Sequence, residues 1–214
     1  MRNSLSRTKV KVCGMTQVSQ VTELVNLSVD AIGVILHAES PRLINLEQAR
    51  EIRKKIPAFI SMVGVFVDCE IDMVNRYSGQ IGLDLVQLHG SESEEYARGL
   101  TTPYIKAVRA KNADQVSQDI KEHSSARAVL LDPYVKGQHG GTGQKLDKNV
   151  WPTNYRNETQ DQKLILAGGL SKENLLDSAV AYKPYAVDLN SGVELSPGVK
   201  DLQLVEACLA VLGR

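Results

Sequence analysis

The stretch VKVCGMT, Val10 to Thr16, runs alternating valines into a cysteine, a glycine and a residue suited to start a helix. A free cysteine most often behaves as a small buried hydrophobe. Cys13 stands where a strand hands over to a loop, however, and a thiolate there could take a proton from a carbon that the substrate makes acidic. A second candidate is Asp132, directly after AVLL. An aspartate before Pro133 is a common turn former; at the end of a strand, partial burial would raise its pKa and suit it to general acid work. Two glycine-bearing turns, LAGGLS and NSGVE, offer a third chemistry. Gly168, Gly169 and Gly192 permit tight turns, and as a pair of loops they also let backbone amides approach an anion such as phosphate. The loop HAESPR carries Arg42, and a solvent-facing rim charge is the commoner fate of such an arginine.

The elements that must position these residues are short β-branched runs, each followed by a turn and a helical pattern. The expected strands are residues 9–12, 31–36, 61–67, 85–88, 104–108, 128–131, 164–167 and 186–189. Their spacing leaves room for one helix between neighbours. Val18, Val21, Leu24 and Val25 form one apolar helical stripe, and Leu46, Ala49, Ile52 and Ile56 form another that Asn45 can cap. Ser171 is the expected cap of SKENLLDSAVAY, and VKDLQLVEACLAVL closes the chain. Eight β–α units predict a parallel (βα)8 TIM barrel, α/β in class, occupying residues 1–214 as one domain. An open doubly wound sheet is the alternative, but no GxGxxG follows the first strand. In such a barrel active sites lie at the carboxyl ends of the strands, with a phosphate site after strands 7 and 8, where the two glycine turns fall. The least regular stretch is the polar excursion 133–163.

Composition narrows the partners. The chain has 214 residues, 43% hydrophobic, with 25 basic and 25 acidic side chains in balance. No net field draws it to nucleic acid or to an anionic membrane, and no apolar run approaches a bilayer span. The amino terminus is basic but lacks the apolar core of a secretory signal. Cys13, Cys69 and Cys208 are an odd, scattered set without metal-ligand spacing, which suits a reducing compartment; the expectation is a cytoplasmic protein. Cys69, just before the third helix, and Cys208, in the apolar pattern of the last, read as structural.

KVCGMT, SPR, VGVFV, VQLHG, LLD, GGTG, LAGGL and VDLNSGVELSPGVKD come in one order across nearly the whole chain. Together they resemble phosphoribosylanthranilate isomerase, a family of tryptophan biosynthesis. The resemblance implies an Amadori rearrangement of N-(5-phosphoribosyl)anthranilate to 1-(2-carboxyphenylamino)-1-deoxyribulose 5-phosphate. It makes Asp132 the general acid, Cys13 the general base and Arg42 the binder of the anthranilate carboxylate. Gly168, Gly169, Ser191 and Gly192 match the phosphate grip, and Gly140, Gly141, Thr142 and Gly143 resemble a mobile cover. His89 and Gln87 match family positions without being assigned a step. No metal or organic cofactor is implied, since the substrate's imine is its own electron sink. The implied partner is a small phosphosugar, with neither nucleic acid nor membrane, and the chain is expected to be a monomer or else a homodimer. Two departures stand out: Asn190 replaces a serine beside the phosphate, and QKLDKNVW replaces an aromatic pair after GGTG, which leaves the start of the sixth helix open.

Two rival readings use the same residues. A dual isomerase acting also on the histidine-pathway ribotide would be expected to carry an aspartate at position 13 and a second phosphate grip. A non-catalytic phosphosugar binder would keep the glycine turns with no need of both Cys13 and Asp132.

Overall fold

The computed structural model describes residues 7–133, 146–152 and 162–214. Eight parallel strands close into a barrel in sequential order: β1 (Lys9–Val12), β2 (Ala31–His37), β3 (Ser61–Phe66), β4 (Leu85–Leu88), β5 (Tyr104–Ala110), β6 (Ala128–Pro133), β7 (Lys163–Leu166) and β8 (Ala186–Leu189). Closure is made by β1 on β8, with Lys11 opposite Asp188 and Val12 opposite Leu189. The outer helices are α1 (Val18–Asn26), α2 (Leu46–Arg53), α3 (Ile71–Ile81), α4 (Glu94–Ala97), α5 (Ala113–Glu122), α6 (Leu175–Tyr182) and α7 (Leu202–Val211). A short antiparallel hairpin, β9 (Glu194–Ser196) and β10 (Val199–Lys200), precedes α7. No helix among the described residues is long and apolar enough to cross a membrane.

The two-residue period of the strands divides the core in two. Val63, Ile105, Ala107, Leu130, Ile165 and Ala186 point inward and fill the barrel. Val10, Val12, Val86, Val129, Leu164 and Val187 point outward beneath the helices. Both faces of each strand are therefore covered, which explains why the strands read as nearly continuous apolar runs. Helix ends follow local chemistry. Asn45 and Gln48 form a reciprocal capping box on α2, and the Asp201 carboxylate accepts from the backbone N–H groups of Gln203 and Leu204 to start α7.

The expected cap at Ser171 is corrected: α6 begins at Leu175, with Asn174 at its N-cap. The Ser171 carbonyl instead accepts from the N–H groups of Asn174 and Leu175, closing a turn. The Asn174 side chain folds back, accepting from the Ser171 N–H and donating to the Gly169 carbonyl. The three extra residues of this turn tie the helix to the loop after β7. Between β6 and β7 the described residues form one 3-10 turn, Lys148–Val150. There Leu146 and Trp151 are buried, with the Trp151 ring 5.2 Å from that of Tyr182 on α6. The GGTG segment, Gly140–Gly143, lies outside the described residues.

Candidate active site

One cavity of about 190 Å³ opens at the carboxyl ends of the strands. Cys13, Arg42, Asp132, Gly168, Gly169, Ser191 and Gly192 all line it, so the singled-out residues that fall among the described ones share a single space.

Cys13 follows β1, and its backbone N–H donates to the Leu189 carbonyl of β8 at 2.8 Å, fixing the strand end. The side chain is 4% exposed and packs with Ile35 and Val65 at the top of the barrel. Burial pushes the thiol above its ordinary 9.0; the Lys11 ammonium opposes that rise, and the Asp188 carboxylate adds to it. Lys11, two residues earlier on the same inner face, places its Nζ 2.9 Å from both carboxylate oxygens of Asp188. Burial works against the Lys11 charge, but Asp188 and the Cys13 sulfur outweigh it and lift the lysine to about 12. An ammonium and a carboxylate inside a barrel are tolerable only as a pair, because either alone would carry an uncompensated buried charge.

Asp132 ends the inner row of β6 and is 8% exposed. Its Oδ2 lies 3.5 Å from Nε2 of His89, just past β4. Nδ1 of His89 is 2.8 Å from the amide nitrogen of Gln87. An amide N–H donated to Nδ1 fixes the imidazole proton on Nε2, the nitrogen that faces Asp132. Gln87 on β4 and His89 just past it thus orient one edge of the carboxyl group.

Arg42 reaches the cavity from the loop after β2, but it does not stand there as a free charge. Its Nε donates to Oε1 of Glu194 at 2.9 Å and its Nη2 to Oε2 at 2.6 Å. Hydrogen bonding to Glu194 raises the guanidinium further above its ordinary range, against the opposing effect of burial. Glu194 is desolvated, yet hydrogen bonds from Arg42 and Lys200 hold its carboxyl below the usual 4.5. Lys200 is buried and donates to Oε1 of Glu194 at 2.7 Å and to Oδ1 of Asn190 at 3.0 Å. Burial lowers the Lys200 pKa even though Glu194 favours its charge; the close contact with that carboxylate is the ground for reading the pair as ionic. With both Glu194 oxygens spent on the Nε–Nη2 edge, the Nη1 side of the fork is left for another acceptor.

The loops after β7 and β8 line the same cavity. Gly168 and Gly169 adopt φ of 91° and 53°, in the left-handed region that glycine enters without strain. Gly192 is required by space, since a Cβ there would collide with the Leu170 carbonyl oxygen. The two loops therefore touch through bare backbone. Among the described residues, the N–H groups of Gly168, Gly169, Ser191 and Gly192 donate to no protein acceptor. Backbone amides of this kind are suited to an anion.

Lys11, Asp188, Glu194 and Lys200 are charged residues in or beside the cavity that reading the sequence missed. Lys11 and Asp188 did carry a signal: each interrupts an apolar strand at an inward position, KVKVC and AVDLN. The pairing of Arg42 with Glu194, 152 positions apart, carried none.

The family model for N-(5'-phosphoribosyl)anthranilate (PRA) isomerase matches residues 10–211. An N-(5'-phosphoribosyl)anthranilate isomerase of Legionella pneumophila (strain Lens) is 43% identical over 197 residues, covering 92% of each chain. Its counterpart in Pseudomonas syringae pv. tomato is 37% identical over 208 residues, 97% of this chain and 98% of its own. Among solved structures, the phosphoribosyl anthranilate isomerase of Thermotoga maritima superposes with a TM-score of 0.86 at 31% identity, covering 96% of this chain and 98% of its own. A phosphoribosyl anthranilate isomerase in complex with reduced 1-(o-carboxyphenylamino)-1-deoxyribulose 5-phosphate superposes with a TM-score of 0.83 at 30% identity, with the same coverage.

Proposed function

The chain belongs to the N-(5'-phosphoribosyl)anthranilate isomerase family of tryptophan biosynthesis, and from that premise we propose that its barrel mouth carries out the Amadori rearrangement with Asp132 as acid and Cys13 as base. The observation that carries this reading is the shared cavity: thiol, carboxyl group and glycine loops open onto one space. A related enzyme was captured with a ligand bearing a carboxylate at one end and a phosphate at the other. A substrate of that shape would set its carboxylate at Arg42 and its phosphate at the amides of Gly168, Gly169, Ser191 and Gly192.

Held at both ends, the sugar lies between Asp132 and Cys13. Asp132 gives its proton to the furanose ring oxygen, the ring opens, and the anilino nitrogen forms a protonated Schiff base. That cation acidifies the hydrogen on the neighbouring carbon. The Cys13 thiolate removes it, leaving an enolamine that tautomerises to the ketone. His89, steadied by Gln87, orients Asp132 and takes no proton itself. The substrate's imine is the electron sink, so the sequence of steps calls on no cofactor. Residues 1–214 act as one catalytic domain.

The test is a fluorescence assay following loss of phosphoribosylanthranilate, run beside the histidine-pathway ribotide. Turnover of the first alone supports the reading. Turnover of both makes the chain a dual isomerase, and binding of the phosphosugar with no turnover of either makes it a binder.

A further inference from the structure

Cys13 is a peculiar base as it stands in the fold. Its thiol is buried, and burial alone favours the neutral form. A sulfur that must carry negative charge needs a cation fixed beside it. The charged groups that act on it come from four elements: Lys11 on β1, Asp188 on β8, Lys200 on β10 and Arg42 on the loop after β2. Arg42 and Lys200 both donate to Glu194. Of the cations, Lys11 shares the strand and inner face of Cys13, and its charge is the one that bears most on the sulfur.

The geometry behind that proximity is built from three strands. The period of β1 puts Lys11 directly below Cys13 on the inner face. Across from them on β2 stands Gly33, where a Cβ would lie 2.8 Å from the Cys13 sulfur and 3.0 Å from Cε of Lys11. The missing side chain is the space that both atoms share. From the other side, β8 supplies Asp188, whose two oxygens hold the ammonium at 2.9 Å each.

Resting on the reading of Cys13 as base, we infer that Lys11 is a positioning residue for that base: its ammonium, anchored by Asp188 and admitted by Gly33, is the fixed counter-charge that lets the sulfur exist as a thiolate in the barrel mouth. Asp188 taken alone is unfavourable to a thiolate. Its part is to keep Lys11 charged and in place, and the charge of the lysine outweighs that of the carboxylate at the sulfur.

The experiment reads the thiol directly. The rate of alkylation of Cys13 by iodoacetamide, followed by peptide mass between about pH 6 and pH 10, tracks its thiolate fraction. It is compared in the parent enzyme, in Lys11→Met and in Lys11→Met/Asp188→Asn. Lys11→Met is expected to slow alkylation at neutral pH by roughly tenfold or more, with the pH profile displaced upward. The double variant, which also removes the opposing carboxylate, is expected to be slowed less, and kcat/KM to follow the same order. Alkylation within about twofold of the parent in both variants, with an unmoved profile, overturns the inference. If the unpaired Asp188 prevents Lys11→Met from folding, the double variant decides: slower alkylation supports the role and an unchanged rate refutes it. A purely structural lysine would shift thermal stability and leave the profile in place. Because alkylation reports the thiol whether or not it is the base, a failure of the base reading appears separately, as retained turnover in Cys13→Ala.

Discussion

Glu194 grips Arg42 along one edge, with Nε to Oε1 at 2.9 Å and Nη2 to Oε2 at 2.6 Å, and Arg42 lines the cavity. Such a fork is oriented before any ligand arrives, and a planar carboxylate meets it without a search through rotamers. Arg42→Ala is therefore expected to act on binding. A lost charged hydrogen bond is worth about 1.5–3 kcal/mol, so KM should rise roughly ten- to hundredfold with a smaller change in kcat. Glu194→Gln, which keeps an acceptor and removes the charge, should raise KM less. Steady-state kinetics of the two variants check this; an unaltered KM in Arg42→Ala would remove the arginine from the substrate site.

The same carboxylate makes stability depend on pH on the acid side. Glu194 has its pKa held below 4.5 in the folded chain. A depressed carboxylate stabilises the fold above its unfolded pKa, and that contribution is lost as pH falls through the folded value. Thermal unfolding followed from neutral pH downward should show the parent losing stability below about pH 4.5, with a shallower fall in Glu194→Gln. Parallel curves for the two proteins would count against the assignment.

Asp132 faces Nε2 of His89 at 3.5 Å and lines the same cavity as the glycine loops. General acid steps contribute about 10²–10⁴ in rate. Asp132→Asn should lower kcat by that order while a reduced product analogue still binds. His89→Gln, which disturbs only the orientation of the acid, should cost less. Calorimetric titration with the analogue separates the two effects, and a kcat for Asp132→Asn within a few-fold of the parent would strip the residue of its role.

Gly192 leaves no room for a methyl group against the Leu170 carbonyl. Gly192→Ala must push the loops after β7 and β8 apart. An overpacked site typically loses about 1–3 kcal/mol of stability, and the four amides shift with their loops. Weaker binding of the phosphorylated analogue, alongside a lowered melting temperature, is the expected pair of results. Unchanged affinity would mean that those amides do not hold the phosphate.

The barrel was legible because parallel strands buried on both faces write themselves as short apolar runs, such as AVLL and LILA, at regular intervals. Cys13 and Asp132 stood out because each breaks such a run at its carboxyl end. What stayed hidden was the pairing. Lys11 looks like one more lysine of KVKV until β8 brings Asp188 beside it. Glu194 and Lys200 read as ordinary charges of the last turns until the β9–β10 hairpin brings Lys200 onto Glu194 and Glu194 onto Arg42. Ser171 looked like a helix cap because serine caps locally; the competing side chain of Asn174 captured the turn instead. Motifs are local, whereas the electrostatic partners that tune them are set by closure of the sheet.

The central claim is that the sulfur of Cys13 takes a proton from carbon while Asp132 serves the ring oxygen. Its most direct test is the turnover number of Cys13→Ala in the phosphoribosylanthranilate fluorescence assay, with affinity for the reduced product analogue measured on the same preparation. A fall in kcat of about 10³ or more, with analogue affinity within a few-fold of the parent, is the result expected of a lost base. Turnover that stays within a few-fold of the parent would show that some other group removes the proton.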